Sequence, residues 1–206
     1  MPAAQRFFLF VAISAVLWIG FVPIYHAAFA WTEFVPGANW VYLPHGLRMM
    51  LVLLFGLAGA LGFTLGASLL AMTILSSTLL PPAGVPAVVD ISLALVPGLA
   101  AWLAAVWTLK DWPGRYLTMP LAAGVTGLDG RRLILLAFVS AVLNAAGHAA
   151  VWGLFALEAT PAEQRFIAMF VGDFLGALLL LYTLRGLLIY LSKYQKGSGF
   201  HGGKTR

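Results

Sequence analysis

Between Ser140 and Trp152 the residues Ser140, Asn144, His148 and Trp152 recur every four positions inside a largely apolar segment. On a helix that spacing puts hydroxyl, amide, imidazole and indole on one face, a polar stripe. His45 and Arg48, three positions apart, share a face of a second helix in the same way. Asp173 stands about eight residues inside the apolar run 165–190, between Gly172 and Phe174. A carboxylate in a hydrocarbon setting costs at least about 2.5 kcal/mol unless a partner or a wet cavity takes the charge. Together these residues predict an outward-opening polar pocket in which Arg48 neutralises Asp173 or Asp90, and His148 and Asn144 supply hydrogen bonds. The expected ligand-binding set is Asp173, His148, Asn144, Arg48, His45 and Asp90.

Two other chemistries draw on the same side chains. Asp90 and Asp173 form a pair of membrane carboxylates, the arrangement by which intramembrane aspartyl proteases share a proton to activate water. The chain departs from that family's Gly-x-Gly-Asp motif: Phe170 stands where the first glycine belongs, and Asp90 follows Val89 rather than a tyrosine. No catalytic residues are therefore expected. His26, His45 and His148 offer imidazoles of the kind that ligate haem iron or copper. No two of them have a ligand spacing within one helix, so neither metal nor cofactor is expected. Cysteine is absent, which removes disulfides, thiol nucleophiles and thiolate metal sites. Each residue also has a structural reading. Asp90, close after Pro86, fits a helix N-terminus, Arg48 fits a cation snorkelling to the interface, His26 fits an interfacial residue, and His148 with Asn144 fits an interhelical pair.

The elements that position these groups are membrane helices. With 62% hydrophobic and 9% charged residues over 206 positions, the chain cannot cover a soluble globule with polar surface. The length accommodates about six spans of roughly 20 residues, and helical rather than alternating runs exclude a β-barrel. The apolar segments are 7–29, 45–56, 58–79, 86–109, 131–157 and 165–190. They predict one all-α transmembrane bundle over residues 1–190, followed by a basic cytoplasmic tail over 191–206. The first segment reads as a retained span rather than a signal peptide, since it reaches Ala30 without a small-residue cleavage site. Residues 45–79 are either one long tilted helix or two short ones meeting at Gly56. The net charge of +5 sits at the ends of apolar runs and in the tail, which points to lipid headgroups and topology rather than nucleic acid.

Charge placement orients the bundle. Lys110, Arg115, Arg131 and Arg132 mark one loop as cytoplasmic, Lys193, Lys196, Lys204 and Arg206 mark the tail, and Arg6 marks the N-terminus, while the acidic segment 158–164 lies outside. Two inside ends require an even number of spans, and six satisfies this. Segment 45–56 is then a helix of about 18 Å, too short for a core of about 30 Å. Such a helix is tolerated where its ends are buried in protein or line a cavity. Trp31, Trp40 and Tyr42 form the expected outer aromatic belt, and Trp107, Trp112, Tyr116, Tyr190 and Tyr194 the inner one. Residues 116–129 are expected along the inner interface. On this layout His148 and Asp173 lie about 13 Å and about 12 Å below the outer ends of their helices.

The stretch Gly172-Asp173-Phe174-Leu175-Gly176 resembles the Gly-Asp-x-x-Gly signature of the bacterial membrane-associated sensor family of the first type. Leu43-Pro44-His45-Gly46-Leu47-Arg48, with Leu54-Phe55-Gly56 and the Gly-rich segment to Ala67, is similar to that family's Pro-Gly entry into a short apolar helix. The likeness covers roughly residues 40–190. It implies a multi-pass protein of the bacterial inner membrane that perceives an extracytoplasmic or membrane-borne ligand. Members usually precede a kinase, cyclase or phosphodiesterase domain, and only a tail from about Ser192 follows here, so a free-standing module signalling through a partner protein is expected. A six-span protein with an outward pocket is also similar to the substrate-capture subunit of an energy-coupling-factor importer, whose docking surface would fall on Ala12 and Ala15. The Gly62-to-Gly66 and Gly172-to-Gly176 spacings are expected to let helices approach closely rather than to bind phosphate.

Overall fold

The computed structural model describes residues 1–35, 38–78, 87–109, 129–155 and 161–198. Among the described residues there are six helices: α1 (Ala3–Phe29), α2 (Leu43–Phe55), α3 (Leu57–Thr78), α4 (Ala87–Thr108), α5 (Gly130–Leu154) and α6 (Ala162–Ser198). Each coincides with one of the six apolar segments to within about a turn, except that α6 runs on through the start of the expected tail. Among the described residues three stretches are long and apolar enough to cross a membrane, Ala3–Thr32, Gly130–Leu154 and Glu163–Leu191. Three further apolar stretches, Leu43–Phe55, Leu57–Met72 and Ser92–Thr108, are shorter. Large apolar side chains such as Phe8, Val16, Leu65, Leu103, Leu135 and Leu179 project outward, as they should where the surroundings are hydrocarbon.

Residues 45–79 are two helices. Gly56 ends α2 with φ 61° and ψ −135°, a left-handed conformation that costs glycine nothing and any other residue a clash with its own Cβ. The chain turns back there. α2 is antiparallel to α1: Val41 lies at Tyr25, Arg48 at Trp18, and Phe55 stacks on Phe10 with ring centroids 4.8 Å apart. α3 then runs parallel to α1, with Gly62 set against Val11 and Ser14 and Gly66 against Ala15 and Trp18. The expected packing role of the Gly62-to-Gly66 spacing is realised at this contact. α2 itself is central, with Pro44 to Met49, Leu51 to Leu53 and Phe55 all buried.

The shortness of α2 is compensated by chain that enters the bundle before it. Strand β1 (Glu33–Val35) pairs antiparallel with β2 (Ala38–Asn39), a small hairpin that the apolar periodicity does not signal. From it the extended segment 39–42 passes between α1 and α6, and α2 begins with Pro44 in its first turn, where a missing N–H is harmless. Trp31 and Trp40 are exposed as a belt requires, but Tyr42 is not part of it, because its ring lies over the Arg48 guanidinium inside the bundle. At the opposite end, Asp129 caps α5 by accepting from the Arg132 N–H at 2.7 Å, and the Tyr182 hydroxyl donates to the Gly130 carbonyl at 3.0 Å. Lys110, Arg115, Trp112, Tyr116, Glu158, Lys204 and Arg206 lie outside the described residues, as do the side chains of Asp90, Lys193, Tyr194 and Lys196.

Candidate polar pocket around Asp173

The glycines flanking Asp173 decide what can reach it. A Cβ on Gly172 would run into the Asn39 carbonyl, and one on Gly176 into the Tyr42 carbonyl, so the bare helix surface is what admits segment 39–42. The Tyr42 N–H donates to the Gly172 carbonyl at 2.8 Å. From the other side Tyr25 on α1 holds the same segment: its hydroxyl donates to the Val41 carbonyl at 2.7 Å and accepts from Asn39 Nδ2 at 2.9 Å. One turn later Gly46 meets the Gly176 carbonyl and Leu180, which brings α2 against α6 closely enough for His45 to reach the carboxylate. The Gly-Asp-x-x-Gly run is thus a seat for residues 39–46, with Asp173 inside it.

Asp173 is 2% exposed. Asn144 Nδ2 donates to its Oδ2 at 2.6 Å, and His45 Nδ1 lies 3.3 Å from the same oxygen. The second contact is out of line for a hydrogen bond, so its contribution is electrostatic. His45 Nε2 in turn sits 3.0 Å from Ser140 Oγ. One carboxylate therefore joins α2, α5 and α6.

Of the two partners expected for Arg48, Asp90 has its side chain outside the described residues and Asp173 is not in direct contact. Among the described residues Arg48 makes no ion pair with Asp173 within 4.0 Å, and the group at that distance is His45 instead. The guanidinium lies 4.8 Å from the Trp18 ring centroid and 5.3 Å from that of Tyr42, and Nη2 donates to the Tyr42 hydroxyl at a long 3.5 Å. A planar, weakly hydrated cation is well suited to this stacking, which ammonium would exploit less fully. Nor does Arg48 snorkel outward: it is 7% exposed, and its Nε has no acceptor.

The polar stripe on α5 is real, and each member has its own partner. Ser140 meets His45 and Asn144 meets Asp173. His148 Nδ1 lies 2.9 Å from the Asn144 carbonyl; since a carbonyl only accepts, Nδ1 carries the proton and Nε2 remains available. Trp152 packs tilted beside His148, ring centroids 5.5 Å apart, and receives the Arg165 guanidinium at 4.5 Å. His148 makes no bond to Asp173 yet faces the same cavity. That cavity measures about 100 Å³ and is lined by Asn39, Tyr42, Arg48, Asn144, His148, Met169 and Asp173.

The remaining sequence candidates stand apart. His26 is exposed at the end of α1 against Tyr25 and does not line the cavity, so the three histidines do not converge. Among the described residues no three His, Asp or Glu side chains are placed to hold a metal. Asp90 belongs to the first turn of α4, with its side chain outside the described residues.

Ser140, His45 and Asp173 stand in the spatial order of a hydrolase triad, although only the Ser140–His45 contact is a hydrogen bond. A nucleophile, however, must meet its substrate. Ser140 and His45 are both fully buried and neither lines the cavity, so the relay ties helices together rather than presenting a reactive hydroxyl.

Sequence reasoning did not single out Asn39, Tyr25, Trp18 or Met169. The signal lay in the polar and aromatic residues just ahead of Pro44, which mark chain that enters the bundle instead of skirting it. Comparison with family models, with curated proteins and with solved structures found no match.

Proposed function

We propose that the chain is a multi-pass protein of a bacterial inner membrane that binds a small polar ligand from the outer side and passes the event to a partner protein. Six crossings with both termini cytoplasmic complete this reading. It rests on charge parity, with the alternating directions of α1, α2 and α3 in its support. The observation that carries the function is the cavity at the hairpin end. A buried guanidinium and a buried carboxylate face it with no direct ion pair between them, which leaves both open to a third partner. The sensor reading draws further on the resemblance to the membrane-associated sensor family of the first type. That likeness acquires a physical content here, since Gly172 and Gly176 seat the segment that walls the cavity.

The importer reading has less support. Its docking surface needs Ala12 and Ala15 free on α1, and Ala15 is buried against Gly66 of α3. Purification of the full chain from membranes under mild detergent separates the two. Co-purification of a histidine kinase or cyclase is expected; recovery of a stoichiometric ATPase module instead would replace the sensor with the importer.

A further inference from the structure

Resting on the pocket reading above, we infer that the ligand is a small zwitterion, whose anionic group meets Arg48 and whose ammonium or other N–H donor meets Asp173. The inference starts from donors and acceptors left over. A guanidinium has five N–H donors, and among the described residues Arg48 donates one, at a long 3.5 Å, to the Tyr42 hydroxyl; its Nε is enclosed, so its Nη groups are what it offers to the cavity it lines. The Trp18 and Tyr42 rings, 4.8 and 5.3 Å from the guanidinium carbon, hold the cation by attraction to their faces. Such a cation is a preformed receptor for a carboxylate or similar oxyanion.

On the acceptor side, the Asn144 and His45 contacts of Asp173 both fall on Oδ2, which leaves Oδ1 of this cavity-lining carboxylate for a ligand donor. A carboxylate oxygen in that position matches an ammonium or amine. Charge balance then selects between ligand classes. The cavity lining carries one guanidinium and one carboxylate, so a free anion or a free cation would leave the buried site with an uncompensated charge, whereas a zwitterion leaves it neutral. The volume of about 100 Å³ holds several water-sized groups, room enough for the two charged ends of a small molecule. His148, with Nε2 unused by its own helix, and Asn39 stand at the same cavity to accept or donate further bonds.

The test uses the purified full chain in lipid nanodiscs, titrated calorimetrically with glycine, β-alanine and γ-aminobutyrate as zwitterions of increasing charge separation, and with acetate and methylammonium as the isolated halves. One zwitterion is expected to bind saturably at least about tenfold more tightly than either half, as loss of one charge-assisted contact requires. Arg48→Gln and Asp173→Asn should each remove that advantage, and Arg48→Lys, which keeps the charge but not the fork, should weaken it. Acetate binding as tightly as any zwitterion, with dependence on Arg48, would overturn the ligand class while leaving the pocket standing. Binding of none of the five probes to wild-type chain would overturn the inference outright, and labelling of a Met169→Cys variant by a thiol reagent then decides separately whether the pocket itself survives.

Discussion

Asn144 on α5 donates to Asp173 on α6 at 2.6 Å, and the same carboxylate oxygen stands 3.3 Å from His45 on α2. Removing the carboxylate leaves a buried amide donor without its acceptor. Interhelical hydrogen bonds in membranes average about 0.6 kcal/mol, but a charge-assisted bond whose loss strands its donor belongs at the upper end. Asp173→Ala is therefore expected to destabilise the bundle by about 1–3 kcal/mol, and Asp173→Asn, which keeps an acceptor oxygen, by less. Reversible unfolding in mixed detergent micelles measures both; an Ala variant as stable as wild type would break the proposed joint.

The seat for segment 39–42 makes a second prediction with an internal control. A methyl group on Gly172 or Gly176 strikes backbone carbonyls that cannot rotate away, so Gly172→Ala and Gly176→Ala should each cost about 1–3 kcal/mol. Gly186 lies on the same helix with nothing within 4 Å, and Gly186→Ala should be neutral or stabilising by up to about 1 kcal/mol, since alanine is the better helix former. Equal effects at the three sites in the same unfolding measurement would show that the close approach does not matter.

The Ser140–His45–Asp173 relay is predicted to be inert. A fluorophosphonate probe incubated with the purified protein should leave Ser140 unmodified, and Ser140→Ala should cost about 0.5–1.5 kcal/mol, the worth of one hydrogen bond. Mass-spectrometric detection of an adduct on Ser140 would reopen the enzymatic reading.

Arg48 is held by ring faces rather than by a carboxylate, and that makes its replacement asymmetric. Arg48→Lys retains the charge yet loses the broad guanidinium contact with the Trp18 and Tyr42 rings, and should lower stability by about 1 kcal/mol. Trp18→Leu should produce a similar loss, and the double variant little more than either alone. Full additivity in that cycle would mean the two side chains do not interact.

What the sequence disclosed follows from how locally each feature is encoded. Helices read well because a bilayer demands long apolar runs, and the stripe from Ser140 to Trp152 read well because helical periodicity alone puts those residues on one face. The break at Gly56 needed the structure to choose between two readings, since the glycine permits a positive φ without compelling it. Pairing across helices was illegible: Arg48 and His45 share a face, and only the crossing at Gly46 and Gly176 determines that His45 reaches Asp173 while Arg48 turns to Trp18. The hairpin and segment 39–42 carry no apolar period, which is why Asn39 and the inward role of Tyr42 were hidden. Describing 165–190 as apolar also passes over Arg185, which is half-buried low on α6 with its Nε lacking an acceptor.

The absence of cysteine makes the central claim, an outward-facing polar cavity, directly measurable. Met169 lines the cavity and is partly exposed, so Met169→Cys introduces a single thiol at its wall. A membrane-impermeant maleimide added to intact cells, with the outer envelope opened, is predicted to label this thiol readily, while the control Lys204→Cys reacts only after the inner membrane is permeabilised. Labelling of Met169→Cys that likewise waits for permeabilisation, or that never occurs, would contradict the account.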